Sequence, residues 1–345
     1  LLDMPVFPAN LENESIPFLR EREQETKLRL VQPVFQPGIY FNAKMTKQVE
    51  LITRAEHNLY TRELIMDVKK SYFTIQKSDR ALNLLEETRE LLKENLRVSR
   101  ALKRAEKTTA ADVYRAEAEL ADLEQKLAEA RKQTEMARIY FNFLLNQPLD
   151  TRVTCSSEPD SLALPASLDS LLTHALHHRE ELFQLHKSAQ IAGYQINLHR
   201  SGFLPELSMV ADYGVQGKEY SFTRKDDYWM ASLVASWNLF NGFRDKARIQ
   251  KAKLEKREIQ LKLQQLAAQI EMDVQQKYKA VQVAGISVKA ARLSEKSAQK
   301  AFDLVRQQYD QGMISHIEYL DAQNRKTRSE MNTIINTYEY KSRLA

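Results

Sequence analysis

Apolar residues recur at alternating spacings of three and four through Ala267, Ile270, Val274, Val281, Ala284, Val288, Ala291, Ala298, Phe302, Val305 and Tyr309, the period of helices packing along a seam. The stretch they mark, about Asp245 to Asp310, predicts a rod of about 100 Å at 1.5 Å per residue, far longer than a globular helix. Gly312 interrupts the pattern, and a return helix is expected from about Ser315 onward, with Tyr319, Leu320, Ala322, Met331, Ile334, Ile335 and Tyr338 as packing positions. The many alanines in the seam let helices approach closely, which favours a multi-helix wall over a loose pair.

This plan occurs twice. Met66-Asp67-Val68-Lys69-Lys70-Ser71-Tyr72 returns as Met272-Asp273-Val274-Gln275-Gln276-Lys277-Tyr278, an offset of 206 that also carries Gln76 onto Gln282 and Ala116 onto Ala322. Phe35 meets Phe240 and Gly38 falls near Gly242 after one small gap. The first half therefore predicts a rod from about Asn42 to Arg104 and a return from about Thr109 to Leu145, ended by Asn146-Gln147-Pro148. Between the halves, Thr151 to Pro165 reads as a loop, and Leu168–His178 and Glu180–Arg200 as two shorter helices. The chain thus divides into a first repeat (1–150), a linker with short helices (151–203) and a second repeat (204–345).

Two segments change period from 3.6 to 2. Leu207, Met209, Ala211, Tyr213 and Val215 alternate with Ser208, Val210, Asp212, Gly214 and Gln216, and Trp229, Ala231, Leu233, Ala235 and Trp237 alternate with a more polar set, the two runs joined by the polar loop Gly217 to Asp227. Lys27 to Phe35 is a third strand, with Leu28 and Leu30 aligning under the repeat with Leu233 and Ala235. Tryptophan at both ends of one apolar face matches the aromatic girdles of a membrane β-barrel, with Leu207, Met209, Trp229, Leu233 and Trp237 as lipid-facing candidates. A half-buried hairpin on a helix would also alternate; the matching third strand favours the barrel. Three strands are too few to close one, so closure needs other subunits.

Composition agrees with long, one-sidedly wet helices: 8 glycines and 9 prolines in 345 residues leave few turns, and 28% of residues are charged. No run of about 18 apolar residues predicts a membrane helix. Leu1 to Glu25 reads as an irregular, Pro-containing loop and lacks the basic start and apolar core of a signal peptide. Cys155 is the single cysteine, so no internal disulfide forms and the redox compartment stays open. The net charge of +5 is spread along helices without a basic block or stacking motif, which argues against nucleic-acid binding. His174 and His178 stand at i, i+4, but no third ligand type is specified, so no metal site is assigned. With no nucleophile elbow or phosphate-binding glycine loop, neither catalysis nor a cofactor is expected.

These residues resemble the TolC family of outer-membrane efflux and secretion channels. The resemblance is carried by Leu204-Pro205-Glu206-Leu207, Ser236-Trp237-Asn238-Leu239-Phe240-Asn241-Gly242, Tyr309-Asp310-Gln311-Gly312, Glu318-Tyr319-Leu320-Asp321-Ala322, and Ala175-Leu176-His177-His178-Arg179-Glu180-Glu181-Leu182. It implies a mainly α fold with a small β portion: long coiled-coil hairpins in two repeats forming an α-barrel, plus strands contributing to a trimeric transmembrane β-barrel. It further implies a homotrimer in the outer membrane of a Gram-negative bacterium, mostly periplasmic. Such a duct exports small molecules or polypeptides with a periplasmic adaptor and an inner-membrane transporter. The family places a helical segment and a first strand before the position of Lys27, where this chain reads as a loop. A soluble coiled-coil scaffold is the competing reading, which accounts for the seams but not for the Trp-bounded strands.

At the helix tips, Glu318 and Asp321 lie at i, i+3 on one face, and the resemblance implies that threefold symmetry makes them a cation-attracting ring at the periplasmic entrance. A helix start, where the dipole favours carboxylates, explains the same residues without a ring. Asp112 and Tyr309 match family positions that join neighbouring hairpins, through a charge-assisted hydrogen bond of roughly 1.5–3 kcal/mol. Ile314 stands where the family can carry a basic latch residue, and Glu106 replaces the tip glycine of the first half. The resemblance assigns adaptor docking to the tips, namely Lys107, Thr108 and Thr109 with Gly312, Met313, Ile314 and Ser315.

Overall fold

The computed structural model describes residues 24–156, 167–217 and 226–345. Strand β1 (Gln24–Phe35) leads into helix α1 (Pro37–Arg104), which returns as α2 (Ala110–Leu144). Helices α3 (Leu168–His178) and α4 (Glu180–Ser201) follow, then β2 (Glu206–Gly217), β3 (Asp227–Ser236), the long α5 (Arg244–Asp310) and its return α6 (His316–Leu344). Residues group into two compact units, each drawing on both repeats: the described residues up to Glu50 with Lys187–Gln260, and Leu51–His186 with Leu261–Ala345. No helix among the described residues is long and apolar enough to cross a membrane. Most of the expected Leu1–Glu25 loop, the end of the loop between the halves and the middle of the β2–β3 connection lie outside the described residues.

Both hairpins turn the same way because equivalent residues do the same work. The rods end at Arg104 and Asp310 and the returns begin at Ala110 and His316, each pair 206 residues apart. At the first tip the Lys107 amide donates to the Leu102 carbonyl at 2.9 Å and the Glu106 amide to Lys103 at 3.0 Å; at the second, Met313 donates to Gln308 and Gly312 to Tyr309, both at 2.9 Å. This pairing satisfies the last carbonyls of a helix, but it needs one residue in the left-handed region. Gly312 holds it at φ +72°, and Glu106 holds the same position at φ +59°. The side chain makes that conformation costly by roughly 1–2 kcal/mol. Glu106→Gly is therefore expected to raise the unfolding free energy by about 1 kcal/mol in urea titration, after the extra flexibility of the unfolded chain is offset. An unchanged or lower stability would show that the turn carries no strain.

The return helices also start alike. Thr109 and Ser315 are the N-caps, and Asp112 and Glu318 close capping boxes from the third helical position. In the second unit the seam is buried as its period requires: Ile270, Val281, Ala284, Val288 and Phe302 are buried, and the hairpin of α5 and α6 closes around Val281, Ala284, Val288 and Tyr340. Leu85 and Leu92 of α1, Leu123 and Leu127 of α2 and Leu320 of α6 form one cluster, so the two hairpins share a core. Ile335, expected to pack, is instead 42% exposed, because the inward face of α6 passes through Thr337 and Tyr340.

In the first unit the strands form one antiparallel sheet of order β1-β2-β3. Lys27 faces Gly214, and a β-carbon at Gly214 would lie 2.4 Å from the Thr26 carbonyl oxygen and 2.7 Å from Lys27 Cβ, so only glycine lets the strands meet there. Gln24 and Glu25 extend β1 beyond its expected start because they pair with Gly217 and Gln216. Helix α1 begins at Pro37, earlier than Asn42, since proline is suited to the first helical position, where no amide hydrogen is needed. The two halves differ where strand becomes helix. One residue, Gln36, joins β1 to α1, whereas residues 237–243 join β3 to α5 through positive φ at Gly242 and Phe243.

Candidate functional site: the helix tips and the two-faced sheet

The tip site is assembled from all four long helices. His316, at the first position of α6, sits with Nδ1 3.0 Å from the Tyr309 hydroxyl of α5 and Nε2 3.4 Å from Oγ of Ser99, a buried residue of α1. Tyr309 stacks on Tyr319 at a ring separation of 4.7 Å, and Tyr319 in turn lies against Phe302. Asp112 of α2 and Arg115 both act electrostatically on the imidazole. Sequence reading assigned His316 no role, because its partner Ser99 lies 217 residues away.

The expected Asp112–Tyr309 hydrogen bond is not made in the single chain. Asp112 Oδ2 accepts instead from Thr108 Oγ1 and Thr109 Oγ1, both at 2.7 Å, and from the Thr109 amide at 3.2 Å, because its place at the start of α2 turns it back onto the cap. Those bonds hold its pKa below the usual carboxylate value, Thr109 contributing most. The Tyr309 hydroxyl faces His316, and burial, helped by nearby Tyr319 and Asp112, pushes its pKa up. Glu318 accepts from the Ser315 amide at 3.1 Å, the helix-start role, while remaining exposed like Asp321. Asp321 lies near the half-buried Glu119, whose pKa is raised first by burial. Of the docking candidates, Lys107, Thr109, Gly312, Met313 and Ser315 are exposed, and Thr108 and Ile314 are half-buried.

Burial lowers the His316 pKa below its ordinary value of 6.5; Asp112 opposes the shift and Arg115 adds to it. A base whose folded pKa is depressed contributes stability that is present above its unfolded pKa and lost as pH falls below it. The tip is therefore expected to loosen on acidification from about pH 6.5 downward, with Asp112 adding a second loss only near its own carboxylate range. Hydrogen exchange of residues 99–120 and 305–322, corrected for intrinsic rates, should quicken between pH 7.5 and 5.5 in the native chain and lose most of that dependence in His316→Phe. An identical profile in the variant would dissociate His316 from the effect.

The sheet has two unlike faces. Leu28, Leu30, Leu207, Met209, Tyr213, Trp229 and Leu233 share one of them, and Leu28, Trp229 and Leu233 are 78%, 78% and 68% exposed. The other bears a bidentate pair, Arg29 Nε and Nη2 to Asp212 at 2.8 and 2.7 Å, and a chain in which Lys27 and the Tyr228 hydroxyl both donate to Glu25. Met230, Ser232, Val234 and Ser236 of β3 share that face with Ser208 and Val210 of β2 and Val31 of β1. Trp237 lies just beyond β3, and its indole donates to the Phe203 carbonyl at 3.0 Å. Arg29–Asp212 could have been found by registering the polar face of β1 against that of β2. His174 and His178 stack at 4.4 Å on α3.

The model of the family described as outer membrane efflux protein matches residues 171–345, just over half of the chain. The chain belongs to the outer membrane efflux protein family. It is 21% identical over 269 residues to the proteases secretion protein PrtF of Dickeya chrysanthemi, an alignment covering 76% of this chain and 58% of that protein. The chain thus spans little more than half the length of that relative. The fold is shared with the Campylobacter jejuni CmeC outer membrane channel, at TM-score 0.78 and 18% identity over 93% of this chain and 69% of that one. It is shared equally with the open-state MtrE outer membrane channel of Neisseria gonorrhoeae, at TM-score 0.79 and 18% identity over 93% and 78%.

Proposed function

We propose that this member of the outer membrane efflux protein family is one protomer of a trimeric exit duct. The duct releases small molecules or polypeptides through the outer membrane of a Gram-negative cell, as a conduit and not a catalyst. The observation that carries the reading is the two-faced sheet joined to a duplicated pair of long helical hairpins. An exposed apolar face suits lipid, and the opposite face, with its ion pair and hydroxyls, suits a wet lumen. Strands from other copies close the barrel, since a sheet edge left unpaired in lipid is not tolerated. The hairpins form the periplasmic tunnel, most of the chain lying there. Their tips, Lys107 to Thr109 and Gly312 to Ser315, meet a periplasmic adaptor that links the duct to an inner-membrane transporter.

Within that duct, Asp112, Tyr309, Glu318 and Asp321 surround the entrance. Three copies of Glu318 and Asp321 make a ring that attracts cations, both carboxylates being exposed although Glu318 also caps its own helix. The test is direct. Native protein should appear in the outer-membrane fraction as a trimer, and planar-bilayer recordings of Glu318→Gln/Asp321→Asn should show weaker cation preference than the parent. A monomer in the soluble fraction would favour the coiled-coil scaffold instead, and unaltered selectivity in a functioning channel would remove the ring.

A further inference from the structure

The junction between β3 and α5 leaves an aromatic surface open in the single chain. Trp237 continues the apolar face of β3, and its indole is bonded to the Phe203 carbonyl. Phe203 is also a wall of a cleft of about 290 Å³, lined further by Leu239, Phe240 and Phe243 and by the polar Asn241 and Lys246. Leu239, Phe240 and Phe243 are 75%, 72% and 72% exposed. Phe243 is held at φ +63°, directly after Gly242 at φ +67°. A bulky side chain is disfavoured in that region, and the aromatic partner of this one is the equally exposed Phe240, edge to face at 5.5 Å. Backbone strain that positions an exposed ring points to a use outside the chain.

Charge is concentrated at the same place, less evenly spread than composition suggests. Residues 244–257, the start of α5, hold seven Lys or Arg against two Asp or Glu, a surplus of +5 that equals the net charge of the whole sequence. The residues 206 positions earlier, 38–51, hold two lysines against one glutamate. Only the second repeat is strongly basic there. Cations at the start of a helix oppose its dipole, so they are held against a local cost. Arg248 and Lys251 have carboxylate partners, Asp245 at 3.6 Å and Glu255 at 3.8 Å. Lys246 and Lys253 are exposed, stand one heptad apart on a single face of α5, and among the described residues make no ion pair.

We propose that this cleft and its two lysines bind the headgroup of an anionic phospholipid from the leaflet that faces the periplasm. The inference rests on the duct reading given above, in which the Trp237 face is membrane wall, and adds the class of lipid held at the rim of that wall. Glycerol and the start of the acyl chains lie on Phe240 and Phe243, the chains continue along Trp237, and the phosphate takes the Lys246 ammonium, whose stem can lie along the apolar floor. Lys253 adds a second cation for a headgroup of net negative charge. The cleft has room for a headgroup and not for a whole lipid, which suits a site at the edge of a bilayer. A neutral amphiphile leaves the lysines unanswered and a free phosphate leaves the rings bare; phosphate joined to apolar chains answers both.

Lipid-specific quenching tests it on the assembled protein. Trp229→Phe leaves Trp237, bonded to the cleft wall, as the single indole. In vesicles of phosphatidylcholine with a minority of phosphatidylglycerol, either lipid can carry bromine near its headgroup. Bromine on phosphatidylglycerol should quench Trp237 as if that lipid were enriched at least about fivefold over its bulk share, the effect of about one cation near an anionic surface. Lys246→Gln/Lys253→Gln should bring the enrichment to about one, and Lys246→Arg/Lys253→Arg should retain it. Arg248→Gln/Lys251→Gln, which removes two cations from the same turns that already have carboxylate partners, should leave most of it. Equal quenching by the two lipids in the parent, or an enrichment that follows total charge and not position, overturns the proposal while the duct stands. So does a glutamine variant that no longer assembles when the arginine variant does, because the cleft is then filled by a neighbouring copy. An indole that neither bromolipid reaches contradicts the membrane wall itself, and the inference with it.

Discussion

Gly214→Val is expected to cost about 3 kcal/mol of sheet stability and to abolish membrane assembly. The added side chain would overlap the Thr26 carbonyl and Lys27 on the adjacent strand, and neither can move without breaking the ladder that holds Gln24 through Phe35 on β2. The loss is not confined to one contact. Tyr228, beside Gly214 on β3, reaches across the glycine to Glu25, so a side chain at position 214 also blocks the bond that spans all three strands. Heat-dependent gel mobility of the detergent-extracted protein reads the outcome: the folded species should vanish in Gly214→Val. Gly193→Ala serves as the control, since its new methyl meets only Lys256 Nζ at 3.6 Å. A folded oligomer in Gly214→Val would mean that β1 does not pair with β2 as described.

Leu127→Ala is expected to destabilise the helical unit by about 3 kcal/mol, within the usual range for emptying a buried leucine site. Leu127 is 1% exposed and belongs to a cluster shared by α1, α2 and α6, where rigid rods on three sides limit collapse into the void. Leu293→Ala removes the same atoms from a residue that is 67% exposed in the single chain. It should leave the unfolding of the monomeric chain within about 0.5 kcal/mol of the parent. Its effect belongs to the oligomer, whose dissociation should become easier. Equal losses at the two positions, measured on monomeric protein in detergent, would show that Leu293 is packed within the chain.

Apart from the start of α1, at Pro37 and not Asn42, the sequence carried the rods to within a residue or so because their period, their caps and the left-handed tip position are local signals. Thr109 and Ser315 precede the returns, and a 206-residue repeat tests each half against the other. The strands were equally plain in their alternation. What was not legible depends on residues far apart in the chain. Ser99 and His316, or Arg29 and Asp212, meet only once helices and strands are placed side by side. Within the single chain Asp112 and Tyr309 each have a nearer partner than the other, Thr109 for the carboxylate and His316 for the phenol. Local hydrogen bonds at a helix start win because they need no further ordering of the chain.

The central claim is that the sheet is membrane wall, and the two tryptophans of the chain allow it to be measured. Trp229 and Trp237 are eight residues apart, about 26 Å along extended chain, which at the strand tilt of about 40° usual in membrane barrels spans about 20 Å of an apolar height of about 25 Å. Single-tryptophan proteins, Trp229→Phe and Trp237→Phe, reconstituted with brominated phospholipids should each be quenched most by bromines near the headgroups and least by those at the chain ends. Both indoles indifferent to bromine at every depth would contradict the account, because the apolar face would then be covered by protein or bathed in water instead of lipid.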